Sequence, residues 1–473
     1  MVYNQPGGAI SQGMPTMRYA WLVVALLWVV AFLNYLDRIL ITSMRDPIVT
    51  EFDLTDAQFG LLTSVFLWSY GFLSPLGGFI ADRYSRKKVI VFSVLIWSIV
   101  TYWTGHVTSF NEMLIARILM GVSEACYIPA GLAMIMDYHR GKTSSLATGL
   151  HMSGLYAGLA FGGLGGYIAM DYGWRTGFTL FGGIGVVYAF LLWYFLKEHP
   201  FKNQQVSNDA ADTGAIKNQD GSTLKSAPGL AEEPGMSSHE SGTSQSAIST
   251  AANTGLPAAA TEPAVVAKPA SVSLPAAFKH LFSIRSFYFL LIYFTVLGMV
   301  NWLVNGWLPT FLKEHFSLDL GAAGISATGY IQVGSFIGVV LGGLLADRWV
   351  TKNQRGRLFV LIIGFTIGAP FLFLMASTSV FWIAIVAMVV FGMARGFNDS
   401  NLMPVLRQVA DTRYIATGYG FLNLLSTIIG GAMVYVGGAL KDADVSLSVT
   451  YQVAAVCMLL ATWCLFWVRT RRS

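Results

Sequence analysis

The residues of this chain best suited to chemistry are a few ionisable side chains set in apolar text. Asn34, Tyr35, Asp37 and Arg38 interrupt a long apolar run that begins at Tyr19. Asn34 lies three residues before Asp37 and four before Arg38, so a helix turns all three toward one face. Arg117 and Glu124 are seven residues apart, about two helical turns, and also share a face, with Gly121 on the stripe between them. Burial favours the neutral acid, whereas a neighbouring arginine favours the anion. A carboxylate under both pressures can gain or lose its proton through a small rearrangement. An arginine in the same surroundings is a natural partner for a carboxylate ligand, through paired hydrogen bonds. The plainer alternative is two buried ion pairs that only hold helices together. Two acids and two arginines, with no matching set in the span that opens the second part of the chain, favour function.

The second part supplies polar atoms with little net charge. Asn301 and Asn305 are four apart and share a face near Trp302 and Trp307; Tyr330, Gln332 and Asn423 add to them. Amides and aromatic faces suit a hydroxyl-rich ligand, and they equally suit ordinary bonds between helices. Arg395 and Asp399 have the spacing of a self-neutralised helical pair, with Asn398 beside them as a candidate substrate contact. His151 is a weaker case: it could titrate, or simply be hydrated near the cytoplasmic end of its span. The three cysteines lie in apolar runs, so neither a disulfide framework nor a zinc site is expected. No P-loop, His/Cys cluster or glycine-flanked nucleophilic serine is present. The chain therefore reads as no enzyme, without cofactor or metal.

The elements that position these residues follow from composition. The chain is 54% hydrophobic and 12% charged, about half the roughly 25% charge of a soluble domain. Twelve apolar runs approach the roughly 20 residues needed to cross a bilayer, six between Tyr19 and Leu196 and six between Phe287 and Val468. The fold class is an all-α polytopic membrane protein. Residues 1–18 form a tail, 19–200 a six-helix bundle, 201–284 a disordered linker, 285–469 a second six-helix bundle and 470–473 a second tail. From Asn203 to Ala277 there is no Trp, Tyr or Phe, so that stretch lacks the surface to offset chain entropy. Sixteen Lys and Arg residues fall in the short loops and tails of one side and four (Arg45, Arg175, Lys313, Lys441) on the other. The positive-inside rule places both termini and the linker in the cytoplasm, with the bundles in the cell membrane. Basic residues spread over loops give no nucleic-acid surface.

The halves repeat one another. Gly77-Gly78-Phe79-Ile80-Ala81-Asp82-Arg83 recurs as Gly342-Gly343-Leu344-Leu345-Ala346-Asp347-Arg348. Gly121, Glu124 and Pro129 recur as Gly396, Asp399 and Pro404, and Ala147-Thr148-Gly149 as Ala416-Thr417-Gly418. A duplicated six-span unit places a site near mid-membrane between two pseudo-symmetric bundles.

Gly78 followed by Asp82-Arg83-Tyr84-Ser85-Arg86-Lys87 resembles the loop-two signature of the major facilitator superfamily, departing from it at Ser85, where glycine is usual. Asn34-Tyr35-Leu36-Asp37-Arg38, Arg117 with Gly121-Val122-Ser123-Glu124-Ala125, and Gly173-Trp174-Arg175 resemble its anion:cation symporter branch. The Spinster-type carriers share much of that pattern. The resemblance implies a symporter that imports an organic anion, such as a hexuronate or aldonate, with protons, as a monomer in the lipid bilayer. It implies that Asp37 and Glu124 carry the protons, that Arg38 contacts the anion alongside Asn34 and Tyr35, and that Arg117 modulates Glu124. Asp82, Arg83, Arg86, Asp347 and Arg348 would gate the cytoplasmic side or only fix its loops. A Spinster-like carrier of lysolipids and a sensor that binds without transport are the alternatives.

Overall fold

A computed structural model describes residues 16–139, 143–198, 274–411 and 414–469, and these form helices and no strand. The first half contains α1 (Met17–Ser43), α2 (Arg45–Phe52), α3 (Asp56–Arg83), α4 (Arg86–Thr104), α5 (Phe110–Glu124), α6 (Tyr127–Tyr138), α7 (Ser144–Gly162), α8 (Gly165–Tyr172) and α9 (Trp174–Phe195). The second contains α10 (Leu274–Ser283), α11 (Arg285–Phe316), α12 (Leu320–Val350), α13 (Gly356–Ser377), α14 (Phe381–Val409), α15 (Ile415–Asp442) and α16 (Leu447–Phe466). Eleven spans are long and apolar enough to cross a membrane, with α5 and α6 together forming one of them. The twelfth crossing is α7 with α8, whose serines, glycines and histidine dilute its apolar character. Large apolar side chains such as Val187, Phe190 and Trp463 lie exposed on the outside, as lipid-facing residues do.

Local chemistry sets the helix ends. Thr55 and Gln58 form a capping box at the start of α3, and Ser85, Ser109, Asp319 and Ser446 cap α4, α5, α12 and α16. The break between α5 and α6 falls at Ala125–Cys126, just before Pro129. Proline has no N–H, so the Ala125 carbonyl loses its helical partner.

The repeat is visible as packing. A Cβ on Gly121 would strike the Phe66 carbonyl on α3, and one on Gly396 would strike the Ser335 carbonyl on α12. Gly77 lies equally close to Ala125, and its repeat mate Gly342 to Phe397. Each half thus draws its second and fourth spans together through glycine, where a side chain would hold the backbones apart.

The two halves meet along α3 with α15 and along α7 and α8 with α12. They are tied most heavily at the end away from the chain termini. There Asp442 accepts hydrogen bonds from the Asp56 and Ala57 amides at 2.8 and 2.7 Å, so a second-half carboxylate satisfies the first turn of α3. Lys441 reaches Asp56 at 3.0 Å and Glu314 at 3.1 Å. Arg45 pairs with Asp46 and Asp56, and Lys313 with Asp46. At the opposite end the described ion pairs stay within one half: Arg86 with Asp137, and Arg357 with Asp347. Among the described residues, the ion pairs that join the two halves lie at the end away from the termini.

One boundary differs from the sequence reading. Residues 274–283, inside the expected disordered linker, form α10, with Ala277 and Leu281 buried. Leu274, Ala277, Phe278, Leu281 and Phe282 have helical spacing, and Phe278 and Phe282 stack beside Phe421 and Phe287. Aromatics return to the sequence at Phe278, so this stretch has apolar surface to bury. The remainder of the expected linker, 201–273, and the tails up to residue 15 and from 470 on lie outside the described residues.

Candidate functional site

Helices α1, α3, α4 and α5 converge on a buried cluster of charge. Arg38 donates from Nε to Glu124 Oε2 at 2.7 Å, and neither residue is more than 3% exposed. The Arg38 guanidinium lies 4.3 Å from the centre of the Tyr70 ring and 4.5 Å from that of Tyr35, so aromatic faces cover it. The Asn34 side chain lies beside the Glu124 carboxylate, while Arg38 Nη2 is left with no partner among the described residues, and such a gap is costly inside a membrane. The arginine fork is therefore only half used.

Asp37 turns toward α4, where Thr101 donates to its Oδ2 at 3.3 Å while Oδ1 has no described partner. The face shared by Asn34, Asp37 and Arg38 is thus a broad one, because neighbouring residues on a helix diverge by about 100°. Arg117 donates to the Leu62 carbonyl at 3.3 Å and to Met120 sulfur at 3.2 Å, with its guanidinium 4.8 Å from the Phe66 ring. It makes no ion pair with Glu124 among the described contacts, but lies within electrostatic reach of both Glu124 and Asp37. Asn34 is fully buried, with its amide beside the Glu124 carboxylate. The structure thus gathers Asn34, Asp37, Arg38, Arg117 and Glu124 into one buried cluster.

The second-half candidates divide. Asn301, Asn305 and Asn423 are half-buried and make no described side-chain hydrogen bond, so their amides remain available to a ligand. Asn398 is corrected. It is fully buried, donates to the Ala394 carbonyl of its own helix at 2.8 Å and accepts from the Tyr293 hydroxyl of α11, so both ends of its amide are engaged within the protein. Arg395 and Asp399 form the i,i+4 ion pair that their spacing suggests. Nε and Oδ2 are 3.7 Å apart, and Asp399 accepts a hydrogen bond from Tyr156 of the first half at 3.1 Å. His151 is also corrected: it is fully buried against Tyr127, and neither ring nitrogen has a described partner.

Of the gating candidates, Arg86 donates to the Ala133 carbonyl and pairs with Asp137 on α6, Asp347 pairs with Arg357, and Arg83 and Arg348 are exposed. The Asp82 side chain lies outside the described residues. Sequence reasoning missed Tyr70, Thr101, Tyr156 and Tyr419. A tyrosine within a span signals a hydroxyl that must find a partner, but its direction is decided only by packing.

The sequence profile of the Major Facilitator Superfamily matches residues 27–435. The chain belongs to the major facilitator superfamily. As a member of it, the protein is a multi-pass membrane transporter and not an enzyme. It is 22% identical over 423 residues to a probable galactarate/D-glucarate transporter of Escherichia coli K12, covering 86% of this chain and 85% of that one. It is 30% identical over 189 residues to spinster homolog 1 of Xenopus tropicalis, covering 39% of this chain and 36% of that protein. Among solved structures of the superfamily, a bacterial homolog of the human lysosomal transporter Spinster, in an inward-facing and unoccupied conformation, shares its fold. That match has a TM-score of 0.70 at 20% identity and covers 97% of this chain and all of the other.

Proposed function

We propose that this transporter is a proton-coupled symporter that imports an organic anion, a sugar acid of the hexuronate or aldonate kind, across the bacterial inner membrane by alternating access. The observation that carries the reading is the buried Arg38–Glu124 pair, with one arm of Arg38 left over. While Glu124 is ionised it holds Arg38. A proton on Glu124 removes that claim, and the guanidinium then turns its fork to a carboxylate ligand. Binding of the anion and binding of the proton thus favour one another. Asp37, within reach of both Glu124 and Arg117, carries a second proton, and Arg117 sets the balance between the two acids. Asn301, Asn305 and Asn423 supply bonds for hydroxyls. The similarity to a probable galactarate/D-glucarate transporter supports the substrate class. With the termini in the cytoplasm, as the loop charges indicate, the end joined by Lys313–Asp46 and Lys441–Asp56 faces outward.

Uptake into proteoliposomes under an inward proton gradient tests this. Asp37→Asn and Glu124→Gln should each lose accumulation against a gradient. Retention of concentrative uptake by both variants removes the coupling assignment.

A Spinster-like carrier of amphiphiles is the second reading, favoured by the 30% identity to a spinster homolog over 189 residues. Thermal shift separates the two. Stabilisation by a lysolipid and by no sugar acid reverses the order.

A further inference from the structure

One face of α3 carries no charge and yet meets both buried arginines of the first half. Leu62, Phe66 and Tyr70 follow one another at four-residue spacing and so line one stripe of the helix. The Leu62 carbonyl accepts from Arg117 Nε at 3.3 Å. One turn on, the Phe66 ring has the Arg117 guanidinium 4.8 Å from its centre and the Arg38 guanidinium 5.3 Å from it. A further turn on, the Tyr70 ring centre lies 4.3 Å from the Arg38 guanidinium. Among the described contacts between cations and rings, Phe66 is the one ring that two guanidiniums share.

The position of that ring is closely fixed. Phe66 is 1% exposed and stacks on Tyr70, with ring centres 6.2 Å apart and planes 19° from parallel. A Cβ on Gly121 would lie 2.5 Å from the Phe66 carbonyl, so α5, which carries Arg117 and Glu124, is seated on α3 at this residue. Both guanidiniums lie within the roughly 6 Å over which a ring face attracts a cation.

The coupling scheme gives the acids their task and leaves the arginines with a difficulty. Protonation of Glu124 and Asp37 removes the carboxylates that balance Arg38 and Arg117, and a buried guanidinium without a counter-charge is costly. A ring face is negative at its centre and has no proton to gain or lose. It attracts a guanidinium equally in both states of the acids. The Leu62 carbonyl, which cannot titrate either, does the same for Arg117. The places of the two arginines are thus set by α3 as well as by the acids of α1 and α5.

We propose that Phe66 is a positioning residue, whose ring holds Arg38 and Arg117 against α3 while Asp37 and Glu124 carry their protons. The inference rests on the proton-coupled reading above and adds the group that keeps the arginines in place once Glu124 lets go of Arg38. Phe66 acts through the guanidiniums and touches no substrate itself. A side chain that served only to fill space would depend on its shape; one in this role depends on the electron density of its ring.

The test replaces Phe66 in the full-length protein by phenylalanines with one, two and three ring fluorines, introduced by nonsense suppression. Fluorine draws charge from the ring face in steps and nearly preserves its shape, so the series folds where Phe66→Leu fails. Melts of the substrate-free protein are compared in two backgrounds, wild type and Glu124→Gln, whose amide stands in for the protonated acid. Tm should fall with each fluorine, and the trifluoro ring should cost about 1–3 °C more in Glu124→Gln than in wild type. The melts need no ligand, so they decide the part of the ring whatever anion the site takes. A Tm independent of fluorine count, or equal losses in the two backgrounds, shows that Phe66 only packs and overturns the proposal. The coupling reading has its own readout, galactarate uptake into proteoliposomes under an inward proton gradient. Its loss in Glu124→Gln leaves the coupling standing even where the melts overturn the ring. Concentrative uptake retained by Glu124→Gln overturns the coupling, and with it the state in which the ring would act.

Discussion

At the scale of single residues, the decisive feature is that Arg38 has a fork and Glu124 occupies only one prong of it. An arginine fully committed to a structural pair would leave nothing for a ligand, and one without a partner would be costly to bury. The arrangement makes Glu124→Gln informative in two ways. Uptake against a gradient should disappear, while substrate binding, followed by tryptophan quenching, should lose its dependence on pH because Arg38 no longer has a titrating competitor. Binding that stays pH-dependent in Glu124→Gln assigns the competition to another group. Asn398 makes the opposite case. Tyr293→Phe removes its hydroxyl partner and strands a buried amide oxygen, which should lower stability by about 1–3 kcal/mol. A thermal melt should show that loss, with the substrate affinity of the folded fraction unchanged.

At the scale of elements, glycine decides how close the helices come. Gly121 lets α5 approach α3 at the level of Phe66 and Tyr70, one turn from Glu124. A methyl group there meets backbone, which cannot give way. Gly121→Ala should therefore displace Glu124 from Arg38 and depress transport more than it depresses folding. Gly183→Ala on α9, where a Cβ meets nothing within 4 Å, should change neither. Transport assays with a parallel melt on the two variants check the pair, and equal behaviour would show that close approach is not what Gly121 provides. The break at Ala125–Cys126 belongs to the same scale, since it ends α5 just after Glu124, where a regular helix would have run on.

At the scale of the whole molecule, charge joins the halves at the end away from the termini. Burial alone would raise the Asp46 carboxyl, but its hydrogen bond and charge pairing with Lys313, together with Arg45, outweigh burial and hold it below the ordinary carboxylate range. A group depressed in this way holds its contacts at neutral pH and gives them up as pH falls below the ordinary value of about 3.9. The joined end should therefore loosen in acid, and Asp46→Asn should loosen it at neutral pH. Lys441→Met, which removes the link between Asp56 and Glu314, should act in the same direction. Spin labels placed across the two halves at that end would report a longer distance in each case, and an unchanged distance would show that apolar packing alone keeps the end shut.

How much of this was legible in the sequence can be seen residue by residue. Twelve crossings, two repeated halves and the set Asp37, Arg38, Arg117 and Glu124 follow from apolar run length, duplicated glycine motifs and the cost of charge in hydrocarbon, all of which are local or pairwise properties of the text. Three-dimensional packing settled the rest. Helical spacing marked Asn398 as a substrate contact, but Tyr293, far away in sequence, consumes its amide. Spacing also paired Arg395 with Asp399, and that pair forms, but nothing in the spacing announced that Tyr156 from the other half draws on the same carboxylate. The two outcomes share a physical cause. Spacing along a helix says which side chains share a face. Which donor or acceptor on another helix reaches them first depends on how the helices pack, and only the tertiary structure contains that.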